Sequence, residues 1–203
     1  MTMHATRDLI VDKADALFYE GGFEATSFAD IAAAVGISRG NFYHHFKTKD
    51  DILSAVIARR MARTRAMLDD WQAAGDDPRE RIISFIRILI ANRTQIMAYG
   101  CPVGTLCCEL AKLDHAAQDR AAEIFGLFRE WLTEQFRALG ADDRSAVLAL
   151  QLLARSQGVA VMATAFRDEA FIRSEVAEME RWLAAQPDLF HQTDKEHRCS
   201  SPF

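Results

Sequence analysis

Proline is scarce in this chain, with four in 203 residues, and no stretch alternates apolar and polar side chains long enough to make a half-buried strand. With half of the residues hydrophobic, the first deficit argues against a disordered chain and the second against a sheet. No basic-then-apolar signal opens the sequence. Its most apolar stretch, read as Ile82–Ile90, is short and interrupted by Arg87, so no membrane span is expected. Four cysteines lack the spaced framework of a small secreted protein, which points to the reducing cytoplasm. The nucleophile elbow, phosphate loop, dinucleotide fingerprint and metalloprotease motif are all missing, so neither an enzyme nor a bound cofactor is expected. The paired aspartates at Asp69-Asp70, Asp76-Asp77 and Asp142-Asp143 fall at helix ends, where negative charge serves a cap or stays solvated.

What remains is a chain of helix formers, long enough for one large or two small domains. Its net charge of −5 counts mildly against nucleic acid as a partner, yet no acidic residue lies between Arg39 and Lys49. That segment is also the most structured in its signals. Ser27 and Asp30 have the spacing of a capping box and open a helix carrying Phe28, Ile31, Ala32 and Val35, which Gly36 stops. Ser38 is placed to cap a second, very short helix whose apolar side is Phe42 and Phe46; Thr48 and Asp51 repeat the capping pattern. Two capped helices joined by a short glycine-containing turn, the second with a polar first turn, make the helix-turn-helix pattern.

The run Thr26-Ser27, Ile31-Ala32 and Val35 through Asp50, with its Tyr43-His44-His45-Phe46-Lys47-Thr48-Lys49 core, closely resembles the DNA-binding domain of the TetR family of transcriptional regulators. The resemblance covers roughly the first quarter of the chain, on a signal of the helix-turn-helix kind. It implies an all-α fold: a three-helix DNA-binding domain at residues 1–48 and a helical ligand-binding and dimerisation domain at 49–186. A tail at 187–203 reads as disordered. About nine helices are expected, the last two forming an intersubunit bundle in a homodimer. The expected function is a regulator, a repressor released from a palindromic double-stranded operator by a small, largely apolar effector.

Chemistry distributes the candidate DNA contacts. Arg39 suits guanine and Asn41 adenine, each through bidentate hydrogen bonds. Tyr43, His44 and Lys49 suit phosphates, with Thr26 and Ser38 as further backbone contacts. Gly40, lacking a side chain, lets the helix approach the duplex closely. For the effector, aromatic and apolar residues at helical spacing supply candidates: Trp71, Phe85, Tyr99, Cys101 and Leu106 in the first half. Phe125, Phe128, Trp131, Met162 and Phe166 follow. The cluster Cys101, Cys107, Cys108 does not have zinc spacing, and no metal site is expected. Packing or pocket lining is the reading adopted for these cysteines. The alternatives to ligand release are a thiol or electrophile sensor at Cys101, just ahead of a helix start at Pro102, or a helical interaction protein that no longer binds DNA.

Overall fold

The computed structural model describes residues 3–185, with only the backbone of Met3, His4 and Arg39; the 187–203 tail lies outside the described residues. The described residues hold ten α-helices, one 3-10 turn and no strand. In order these are α1 (Met3–Gly21), α2 (Phe28–Val35), α3 (Arg39–His45), α4 (Lys49–Ala73) and α5 (Pro78–Ala91). Then come α6 (Arg93–Tyr99), α7 (Pro102–Lys112), α8 (Gln118–Ala138), the 3-10 turn Asp142–Arg144, α9 (Ser145–Phe166) and α10 (Glu169–Ala184). The sequence pattern reads Pro78 to Tyr99 as one helix; the structure breaks it at Asn92. There the backbone leaves helical geometry (φ −105°, ψ 13°), and the Asn92 amide donates to the Ile88 carbonyl at 3.0 Å, closing α5 from its own C-terminus.

Two compact units emerge. One comprises the chain up to Ala66 with Cys101–Phe125, the other Met67–Gly100 with residues from Gly126 onward. The first therefore takes in α7 as well as the segment read from sequence as the DNA-binding part. Its buried residues include Ile10, Ala14 and Phe18 of α1, Phe23, Ile31 of α2, Phe42 of α3, Phe46, Ile52, Leu53, Val56 and Ile57 of α4, and Leu110 of α7. Phe23 meets Phe18 edge-on at 5.2 Å, and Phe28 meets Phe42 at 5.3 Å.

Arg59, Arg60 and Arg63 on α4 pair with acidic residues of α1. Arg59 reaches Asp8 at 2.8 Å and Asp12 at 2.7 Å, Arg60 reaches Asp15 at 2.7 Å, and Arg63 reaches Asp12 at 2.7 Å. The acids at positions 8, 12 and 15 recur at one-turn spacing, and they meet Arg59 and Arg63, one turn apart on α4, with Arg60 beside them. Arg60 is buried and also donates to the Pro102 carbonyl, so it joins α1, α4 and the start of α7.

In the second unit α5 packs on α10 and α6 on α9. Phe85 and Phe128 stack edge-on at 5.7 Å, and Phe136 meets Trp182 at 6.2 Å. Thr164 of α9 donates to the Ile96 carbonyl at 2.8 Å, and Arg79 closes the C-terminus of α10 through the Leu183 carbonyl at 2.6 Å.

α9 has two apolar sides. Ser145, Leu148, Ala149, Leu152, Ser156, Val159, Ala160 and Ala163 form its buried stripe. Val147, Leu150, Ala154, Gly158, Val161 and Ala165, at the same helical spacing, stay exposed, Val161 by 60 %. Asp142–Phe166 is long and apolar enough to cross a membrane by length and composition, with mean hydropathy 1.4 over its most apolar window. Its inner stripe is nonetheless packed in the fold, the pattern of a core helix with a second face left uncovered.

Candidate nucleic-acid interface

Every boundary of the helix-turn-helix is held by a local bond. The Ser27 hydroxyl accepts the Asp30 N–H at 3.2 Å while the Asp30 carboxylate accepts the Ser27 N–H at 2.8 Å, the reciprocal capping box. Hydrogen bonds from the Ser27 side chain and backbone hold the Asp30 carboxyl below the ordinary carboxylate value. Gly36 ends α2 in the left-handed region (φ 76°), with its N–H on the carbonyls of Ala32 and Ala33, a conformation that costs glycine little. The Ser38 hydroxyl then caps α3 by accepting the Asn41 N–H at 3.3 Å. Beyond α3, Asp51 accepts N–H groups from Thr48 at 2.9 Å and Lys47 at 3.3 Å, and its carboxyl too is held low by the Thr48 bonds.

Phe42 and Phe46 anchor α3 in the core, and Arg7 lies over the Phe46 ring at 4.7 Å. Gly40, Tyr43 and His44 then share the outward side, one turn apart. Gly40, Asn41, Tyr43 and His44 are exposed, as is Ser38 ahead of them. A Cβ added to Gly40 would meet nothing within 4 Å, so no internal contact requires glycine there, although the residue weakens a helix. Arg39 opens α3 through its backbone; its side chain lies outside the described residues. The Lys47 ammonium donates to the Tyr43 carbonyl at 2.6 Å, closing the C-terminal end of α3.

Two of the expected contacts turn inward instead. Thr26 is buried, its hydroxyl donating to the Gly22 carbonyl at 2.7 Å, so it closes the end of α1 rather than facing a phosphate. The Lys49 ammonium donates to the carbonyls of Phe23 and Glu24, both at 3.1 Å, pairs with Glu24 at 3.7 Å and rests over the Phe23 ring at 4.4 Å. An ammonium has three protons, and these contacts engage it inside the domain.

Sequence reading missed the partner on the other side of this loop. Glu109 of α7 accepts the N–H groups of Phe23 and Glu24, both at 2.9 Å, one on each carboxylate oxygen. Gly22 (φ 92°) makes room: a Cβ there would stand 3.0 Å from a Glu109 oxygen. His115, just past α7, adds an edge-on contact to Phe23 at 5.3 Å, accepts the Ala117 N–H on Nδ1 at 3.0 Å, and places Nε2 3.5 Å from Asp50. No local signal at Glu109 could announce a bond to residues about 85 positions away.

The effector candidates do not assemble into one set. Trp71 and Trp131 stack at 5.6 Å, and Phe85 and Phe128 are paired as described. Leu106 is buried, and Tyr99 and Phe125 are half-buried. Met162 and Phe166 are exposed on α9, so within one chain they line no interior; the sequence marks them as apolar but not which side of α9 they occupy. Trp131 Nε1 is buried without a hydrogen-bond partner, a polar handle among apolar walls. Cys101 caps α7, its sulfur accepting the Gly104 N–H at 3.4 Å. Burial, then the neighbouring Cys108 and Cys101, push the Cys107 thiol up to about 11 against the pull of Arg60, which makes it a poor nucleophile.

Known proteins carry the same pattern. Residues 10–56 match the model for bacterial regulatory proteins of the tetR family, and residues 78–178 that for the C-terminal domain of LmrA/YxaF-like transcriptional regulators. An uncharacterized HTH-type transcriptional regulator in the lacX 3' region of Lactococcus lactis subsp. lactis is 26% identical over 66% of this chain and 69% of its own. The HTH-type transcriptional repressor DhaR of Mycobacterium sp. strain GP1 is 24% identical over 65% of this chain and 64% of its own. The chain thus spans about two-thirds of these relatives. A crystal structure of a TetR transcriptional regulator from Legionella pneumophila superposes with a TM-score of 0.77 at 27% identity, covering 85% of this chain and 94% of that one. With both halves matched and the capped helix-turn-helix in place, the chain belongs to the TetR family of DNA-binding transcriptional regulators.

Proposed function

We propose that the protein is a homodimeric repressor that holds a palindromic operator through α3 and lets go when a small, largely apolar molecule binds its C-terminal helical domain. The observation that carries the DNA-reading part is the outward side of α3, where Gly40 leaves open space beside exposed Asn41, Tyr43 and His44. A polar first turn with a gap at its centre suits a surface that must come close, and the segment from Arg39 to Lys49 carries no negative charge. Ser38, Asn41, Tyr43 and His44 remain the contacts proposed from this chain, with Arg39 added on its position in α3.

The uncovered side of α9 supports the second copy. Beside it runs a groove of ≈ 490 Å³ in which Val147, Leu150 and Ala146 are flanked by Arg129, Arg137, Glu130 and Glu134 of α8. An apolar strip bordered by both signs of charge is self-complementary, as a two-fold contact must be. A two-fold dimer requires half-sites one helical turn, about 34 Å, or a multiple apart. Effector binding then acts by favouring a dimer whose reading helices no longer match that spacing, with α4 as the connecting helix. A coupling of about 1–3 kcal/mol changes operator affinity about 5- to 150-fold, and DNA must weaken effector binding equally. The DhaR relative, named a repressor, favours repression over activation. A regulator of this kind works where the chromosome is, in the cytoplasm.

Selection of a random DNA pool on the purified protein tests the reading: an inverted repeat bound by two protomers is expected, and recovery of no sequence-specific DNA overturns it. A second reading has one observation of its own. Cys101 caps α7, the helix that carries Glu109, so covalent modification of its sulfur would disturb the start of that helix. Operator release by a thiol-reactive electrophile that is lost in Cys101→Ser would establish it; release unchanged in that variant removes Cys101.

A further inference from the structure

Between the start of α2 and the middle of α3 lies a groove of ≈ 320 Å³ lined by Ser27, Phe28, Ala29, Ala32, Phe42 and Tyr43. All of its walls except Ser27 are alanine or aromatic. Tyr43, 46 % exposed, belongs both to this groove and to the outward side of α3 that it shares with Gly40 and His44, so the groove adjoins the DNA-reading surface. Its serine is already engaged. The Ser27 hydroxyl donates to the Asp30 carboxylate at 2.6 Å and accepts the Asp30 N–H, and the same carboxylate takes the Ser27 N–H. Ser27 thus presents no free donor to a base edge, the Tyr43 hydroxyl being the polar group that remains in the lining, and the carboxylate that engages Ser27 is negative, which repels phosphate.

We propose that this groove receives the 5-methyl group of a thymine in each half of the operator, with Phe28 as the residue that sets the preference. The inference rests on the DNA-reading role of α3. Among the groups that the four base pairs display in the major groove, the thymine methyl is the apolar one, and aromatic or alanine side chains are its usual partners. Phe28 is held ready for it: edge-on against Phe42 at 5.3 Å and tilted on Tyr43 at 5.6 Å, it has little freedom left to lose on binding. Ala29, exposed beside it on α2, keeps the mouth of the groove wide.

The test uses DNA selected from a random pool on the full-length protein and resynthesised with deoxyuridine for thymidine, one position at a time. This removes the methyl group and leaves base pairing intact. The expected result is one position or two adjacent positions per half-site at which the change weakens binding about four-fold, the ratio corresponding to about 0.8 kcal/mol per buried carbon. In Phe28→Ala, thymine and uracil duplexes bind equally at that position. Should Phe28→Ala lose its helical circular dichroism, Ala29→Leu, which fills the mouth from an exposed site, is expected to erase the same difference. Uracil tolerated at every position by the unaltered protein, or a methyl preference that survives both variants, overturns the proposal while leaving DNA binding intact. Failure to select any DNA removes the DNA-reading role and this inference together.

Discussion

α3 and α9 each leave one side uncovered, and they differ in what they leave there. On α3 the open side carries Gly40, Asn41, Tyr43 and His44, small or polar around a gap. On α9 it carries Val147, Leu150, Ala154, Gly158 and Val161, apolar throughout with small residues between larger ones. The first gains little from leaving water and is made for a hydrated, charged partner; the second gains from every ångström buried. In the proposed function, small residues serve opposite ends on the two helices: Gly40 would admit the duplex, whereas Ala154 and Gly158 would let the backbone of a second copy come close.

Four measurements would break or sharpen that contrast. The largest effect is expected from Val161→Asp, which sets a charge in the apolar strip of α9. Sedimentation should report a monomer, and operator affinity should fall by more than about 100-fold, because an unpaired charge buried at an interface costs several kcal/mol. A variant that remains dimeric would move the interface elsewhere. Next is Gly40→Ala on α3, for which stability and binding should move in opposite directions: denaturation free energy unchanged or up by about 0.5 kcal/mol, operator affinity down about ten-fold. If both rose, nothing would be approaching that side of α3.

Lys49→Ala is third. Its ammonium is bound to two carbonyls and rests on Phe23, so the domain should lose about 1–2 kcal/mol by chemical denaturation, with the salt slope of operator binding unchanged. A slope lower by about one at unchanged stability would return Lys49 to the phosphate backbone. The smallest effect is electrostatic. Asp30 and Asp51 are held below their ordinary value near 3.8 in the folded chain, so their contribution is complete above that value. It is lost as pH falls through the lowered folded values. Asp30→Asn with Asp51→Asn should therefore flatten the acid limb of stability below about pH 4, and leave stability at pH 7 to pH 8 with no pH dependence of its own. An acid limb as steep as before would assign it to other carboxylates.

The parts of this molecule that could be read in advance are those in which cause and effect lie within four residues. Ser27 with Asp30, Ser38 with Asn41 and Thr48 with Asp51 announce themselves because a side chain and the N–H it caps are neighbours in sequence. The intrachain bonds of Lys49 and Thr26 could not be read because the sequence shows a polar residue near an interface but not its direction, and backbone carbonyls of the preceding loop compete well for both. Glu109 was invisible for a simpler reason: its targets are backbone amides, which every residue but proline carries, so no partner type marks them in the sequence. α9 was half legible. Its apolar character is plain in the sequence, while the choice of inner and outer stripe depended on which neighbours arrived.

The grip of Glu109 on the amides of Phe23 and Glu24 has a mechanical corollary. One side chain supplies both bonds, so a small displacement of its backbone weakens the two in concert instead of in sequence. The turn ahead of α2 is thereby fastened to α7 through a single carboxylate, with Gly22 admitting it at close range.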